Sequence, residues 1–248
     1  MDEHSGAPRF PKLLEERHRE TMEFLREHAD LTQVIDASLL VAHALAFGVV
    51  SEHKSKSMVT TYAALMWQVA CDYHRQSLTH ILARELDSAF ALLRMAIELA
   101  RDFYVIGKDE QLLELWMSRE ESVDIASKYR KKFKFDLSNP SGKISFDLYK
   151  LCSRYGVHGH MTSLMHANRT GKADSDVVLL DTDVRAIFGG LQIWLRAYFP
   201  IHALFCDAFQ LNENPEWEPY RLFLELIASL EPILDAVDNV VGRKPELV

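Results

Sequence analysis

Arg94 and Glu98, one helical turn apart, are the first residues of this 248-residue chain whose types and spacing suggest chemistry. Projected at about 100° per residue, the segment Leu86 to Val105 gathers Asp87, Arg94, Glu98, Arg101 and Asp102 into one stripe. The rest of the circumference carries residues such as Phe90, Leu93, Ile97 and Phe103. A helix that is apolar over most of its surface belongs inside a bundle. Charges on its buried stripe then need partners, because an unpaired buried ion is very costly. A guanidinium, a carboxylate and a third polar group between helices would recognise a ligand or act on it. The plain alternative is a narrow solvated edge bearing an ordinary surface ion pair.

The third group is found some fifty residues later, in Tyr149-Lys150-Leu151-Cys152-Ser153 followed by His158. With Ala89 to Leu99, this segment resembles a family of uncharacterised bacterial helical proteins with an L-L-R-x-x-x-E helix and a later Y-x-x-L-S-x-x-x-x-H segment. Cys152 stands where that pattern has leucine. The resemblance covers Leu86 to His166 and implies that Arg94, Glu98, Ser153 and His158 belong to one site; it implies no reaction. Tyr149 joins the expected ligand-binding set. The expected function is a buried polar pocket for a small anionic or phosphate-containing ligand. Arg94 would supply the charge and His158 a titratable hydrogen-bonding group.

His158, His160 and His166 also invite a metal reading, since imidazoles are common ligands. On a helix His158 and His160 point about 200° apart, so both reach one ion only from a loop, which Gly156 and Gly159 would loosen. No H-E-x-x-H or H-x-x-x-D signature accompanies them, so no metal and no cofactor is expected. Arg154 and His160 form R-x-x-x-x-x-H, which is similar to the R-x(4–6)-H motif of HEPN ribonucleases, helical proteins that cut RNA without metal. By that resemblance His160 would handle the 2′-hydroxyl proton and Arg154 the phosphorane charge, with His158 as a further catalytic candidate and a dimer pairing two motifs. Tyr155 and the two glycines depart from the motif. RNA is the substrate of this second reading. A third class is a structural or partner-binding module in which Arg94 and Glu98 only fix helix register.

Lys128 to Lys134 interleaves Tyr129 and Phe133 with five basic residues, a pattern that can hold a phosphate backbone while stacking bases. The plainer reading is a helix C-terminus whose cations complement the macrodipole while the aromatics face the core. A net charge of −8 opposes non-specific attraction to nucleic acid or anionic membrane. Cys71, Cys152 and Cys206 lie far apart without a C-x-x-C pair, so neither disulfides nor a thiolate site is indicated and a cytoplasmic location is expected. The acidic N-terminus has no apolar leader behind it. Ala186 to Cys206 is apolar, yet Arg196 and Pro200 favour a bundle helix over a membrane span. Ser141-Gly142-Lys143 lacks the first glycine and the strand of a phosphate loop and reads as a turn.

Ten glycines and eight prolines are few for this length, which argues against a many-turned β fold. Helices are expected over Lys12 to His28, a second one capped by Asp30 or Thr32 up to Val50, Met58 to Leu82, Leu86 to Ile106, Glu110 to Phe133, Ile144 to Ser153, Asp183 to Phe209 and Glu216 to Val241. His74 and His80 are expected to meet solvent. Trp67, Trp116, Trp194 and Trp217 are expected as core or interface anchors, which makes a homodimer plausible. The fold class is all-α, a single-domain bundle of about seven or eight helices over residues 11–241, with tails at 1–10 and 242–248.

Overall fold

Capping residues write the helix boundaries. Ser57, extended at φ −161° and ψ 163°, accepts from the Thr60 amide and opens α3 (Met58–Leu82). α3 closes in a Schellman turn, in which the Arg84 amide donates to the Ile81 carbonyl and the Glu85 amide to the His80 carbonyl. Arg84 sits there at φ 64°, in the left-handed region usually given to glycine. The reversal feeds directly into α4 (Leu86–Lys108).

The computed structural model describes residues 9–53, 57–156 and 184–241, which form an all-α bundle with no strand among them. α1 (Arg9–Glu27) and α2 (Ala29–His53) precede α3; α5 (Leu112–Met117), α6 (Val123–Lys132) and α7 (Pro140–Gly156) follow α4; α8 (Val184–Ala208) and α9 (Glu218–Val241) complete the bundle. α4 is the central element, packed against α3, α7 and α8, while α2 and α9 cover the outer faces of α3 and α8. Gly190 lets α8 approach closely, because a Cβ there would lie 2.9 Å from Ile81 and 3.0 Å from Leu86.

Several boundaries differ from the expected ones: α1 starts at Arg9, inside the expected tail, α2 runs on to His53 and α7 to Gly156, and three further differences have a visible cause. The helix expected over Glu110 to Phe133 is two, because Ser122 turns to φ −156° and accepts from the Ile125 amide, starting α6 afresh. α7 begins at Pro140 rather than Ile144: Asn139 Oδ1 accepts from the Ser141 and Gly142 amides at 2.8 and 3.3 Å, and proline suits the first helical position. Ser141 to Lys143 is therefore helix, not turn. Thr32 does not cap α2; its hydroxyl donates to the Leu25 and His28 carbonyls at 2.9 and 3.0 Å, so α1 and α2 run almost continuously. α8 is buried along most of its length, as a bundle helix should be. α2, by length and composition alone, is long and apolar enough to cross a membrane, and 33% of its most apolar window is buried.

The core between α3 and α8 is aromatic and polar at once. His74 is buried, contrary to the expectation that it meets solvent, because it stacks on Trp194 with ring centroids 4.2 Å apart. Its Nε2 lies 3.1 Å from the Trp194 carbonyl, and the Trp194 indole donates to the His74 carbonyl at 2.7 Å. About two turns further along α8, His202 Nδ1 accepts from the Trp67 indole at 2.9 Å. Both rings are thereby held neutral: burial pushes His74 down to about 4, and burial together with nearby His74 pushes His202 well below its ordinary value.

Because these folded-state values lie below the ordinary 6.5, the unfolded chain takes up protons first as pH falls. Stability is full above about pH 6.5 and declines towards pH 4. A thermal-unfolding series over that range should show the decline, and His74→Phe should make it shallower; an identical slope in the variant would show that other groups cause it. The buried Tyr198 hydroxyl has no hydrogen-bond partner among the described residues. Tyr198→Phe is therefore expected to be neutral or stabilising in urea unfolding, and a loss beyond about 1 kcal/mol would contradict the orphaned hydroxyl.

Candidate functional site

The charged stripe predicted on the central helix is real, and its two ends differ. At the N-terminal end Arg94 donates from Nε and Nη2 to a single oxygen of Glu98, at 3.4 and 3.2 Å. The pair is half-buried rather than buried, with 26% and 30% of the two side chains exposed. α7 lies across this part of α4 and brings Tyr149 under the Arg94 guanidinium, 5.2 Å from the ring centroid. Arg101 stacks in the same way on Phe135 at 5.2 Å, and the Phe135 and Tyr149 rings are 5.5 Å apart. Two arginines thus face a two-ring aromatic wall, with Glu98 between them in sequence.

At the C-terminal end Asp102 is buried and receives four hydrogen bonds. Arg101 donates to Oδ1 from Nε and Nη2 at 2.8 and 2.6 Å; the Trp116 indole and the Tyr129 hydroxyl donate to Oδ2 at 2.9 and 2.7 Å. Burial pushes the Asp102 carboxyl above its ordinary value, and Arg101, Tyr129 and Trp116 pull it back. Four donors and no competing acceptor suit the ionised form. Trp116 and Tyr129 come from α5 and α6, so this carboxylate ties both short helices to the bundle. Sequence spacing placed Asp102 on the stripe but missed these partners. The available signal was chemical: a buried indole and phenol each need an acceptor.

The predicted ligand-binding residues are partly brought together. Arg94, Glu98 and Tyr149 form one cluster. Ser153 lies one turn beyond Tyr149 on α7, and its Oγ is buried without a hydrogen-bond partner among the described residues. Cys152 is a buried free thiol pushed up to about 12 by burial, which Arg94 only partly opposes, and it behaves as the small apolar residue expected. Arg154 is exposed and makes no ion pair among the described residues. His158, His160 and His166 lie outside the described residues, within which no group of three or more His, Cys, Asp or Glu side chains could hold a metal.

Two other regions bear on the site. Half-buried Tyr129 turns onto Asp102 and Phe133 enters the core while the cations stay exposed, the arrangement of the plainer helix C-terminus reading. A cleft of about 200 Å³ opens far along the fold, between α1 and the α3–α4 turn, lined by Glu20, Thr21, Phe24, His28, Arg84 and Ile187. Two of its polar groups are paired within it: Arg84 with Glu20 at 2.9 Å, and Thr21, which donates to the Leu82 carbonyl at 3.2 Å.

Removing the Asp102 carboxylate would strand Arg101, Trp116 and Tyr129 together. Asp102→Ala is expected to lose about 3–5 kcal/mol of unfolding free energy in urea titration. A loss below about 1 kcal/mol would mean that α5 and α6 do not depend on it. In comparisons with known proteins, no family model, no curated protein and no solved structure matches the chain.

Proposed function

We propose that the face between α4 and α7 binds a small anionic ligand, a carboxylate or a phosphate-containing molecule, through Arg94, with Glu98, Tyr149 and Ser153 shaping the site. The observation that carries this reading is the buried, unpartnered Ser153 Oγ one turn from Tyr149, on the helix whose ring lies under Arg94. A buried hydroxyl without a partner is disfavoured, and a ligand oxygen would relieve it. Arg94 has donors to spare, since among the described residues only Nε and Nη2 are engaged, both with one oxygen of Glu98. Glu98 then acts as a stand-in anion, holding the guanidinium over Tyr149 until a ligand competes for it. His158, five residues beyond Ser153, is the titratable member of the same proposal. The free thiols Cys71, Cys152 and Cys206 fit a reducing compartment, and the cytoplasm is the proposed location.

Thermal unfolding in the presence of inorganic phosphate, citrate and a nucleoside monophosphate, at matched ionic strength, tests this proposal. A specific ligand at a hundredfold excess over its Kd should stabilise the protein by about 2.7 kcal/mol. Arg94→Gln should abolish that shift and Ser153→Ala should reduce it, while each unliganded variant stays within about 1 kcal/mol of wild type. Equal shifts in wild type and Arg94→Gln would reduce the effect to general ion stabilisation. Strong destabilisation by Arg94→Gln without any ligand response would leave the pair a register device. RNA cleavage in chelator that is lost in His160→Ala would replace the proposal with the ribonuclease reading.

A further inference from the structure

We propose that α6 and the residues just after it form an electrostatic docking surface for the phosphate backbone of double-stranded nucleic acid. Lys128, Arg130, Lys131, Lys132 and Lys134 are all exposed, and none of them makes an ion pair among the described residues. Other cations of the bundle are mostly matched: Arg75 with Asp72, Arg84 with Glu20, Arg94 with Glu98, Arg101 with Asp102, Lys108 with Asp136 and Arg221 with Glu225. Positive charge is therefore concentrated, unneutralised, on one short helix of a chain whose net charge is −8.

That helix is held firmly by its other side. None of its residues is buried, yet Tyr129 donates to Asp102 at 2.7 Å and Phe133, just past its end, enters the core. At about 100° per residue Tyr129 and Phe133 lie about 40° apart; Lys131 points directly away from them, and Lys128, Arg130 and Lys132 flank it, about 80–120° from the aromatic side. Phe133 is buried, the half-buried Tyr129 is tied to Asp102 and the half-buried Phe135 ring already packs against Arg101 and Tyr149, so the run offers no freely exposed ring for unpaired bases, which favours a duplex over a single strand. A flat anionic membrane laid on α6 would also press on exposed Glu120, Glu121 and Asp124 at its start, whereas a duplex crossing the C-terminal half avoids them.

Fluorescence anisotropy with a labelled 20-base-pair duplex, as DNA and as RNA, titrated with the full chain at several salt concentrations, tests the surface. The expected result is binding with a Kd of about 10⁻⁴ to 10⁻⁶ M at physiological salt and a log–log salt slope near −4. Lys131→Gln with Lys132→Gln should weaken binding and bring the slope about two closer to zero. Unchanged thermal unfolding of that double variant would establish that it is folded. The proposal is overturned by no anisotropy change at low salt, by an unchanged slope in the double variant, or by tighter binding of the single strand. Equal salt-sensitive binding to polyglutamate, or to vesicles containing phosphatidylserine, would also overturn it and assign the surface to an acidic protein or a membrane.

Discussion

A carboxylate buried on the central helix sets the terms for what packs around it. Asp102 cannot lie between helices as a bare charge, so donors must come to it, and the nearest uncommitted ones lie on chain that has already left α4. Trp116 and Tyr129 answer from two directions. This explains why the polypeptide after α4 is broken into two short helices. A single straight helix running away from Lys108 could not return both an indole and a phenol to one pair of oxygens. The segment leading on to α7 is fastened in the same manner, with Tyr104 and Lys108 both donating to Asp136 and Asn139 joining Tyr104 to Asp207.

The two ends of the charged stripe differ in solvent access. Asp102 has all four of its hydrogen bonds supplied by protein and has nothing left to offer. Glu98 and Arg94 are half-wet, and their pair joins one carboxylate oxygen to a fraction of the guanidinium donors. An ion pair of that exposure contributes little to stability. The Tyr149 ring lies 5.2 Å from the same guanidinium, a second contact that does not depend on Glu98.

Much of this was legible in the sequence. The 3.6-residue period of α3 and α4 and the scarcity of glycine and proline pointed to the fold class, and the clustering of Asp87, Arg94, Glu98, Arg101 and Asp102 on one face of α4 was equally legible, since both depend on local periodicity. The division of residues 110–133 escaped because Ser122 is a cap only when tertiary contacts pull the chain back at Trp116. His74 escaped because its side of α3 looks partly polar until Trp194 arrives from a distant helix. The Arg94–Tyr149 stack could be suspected from neighbouring motifs, but no spacing rule fixes which ring of α7 lies under which guanidinium.

The clamp between His74 and Trp194 joins residues 120 positions apart, whereas α3 and α4 are neighbours joined by a tight turn. Closing the larger loop carries a greater entropy cost, so the α3–α4 hairpin is the natural first structure and α8 docks onto it afterwards. Contacts made late are absent from the folding transition state, and weakening them speeds unfolding while leaving folding nearly unchanged. The histidine–tryptophan layer is thus a latch in time as well as in space: it governs how long the native bundle lasts once formed, more than how fast it forms.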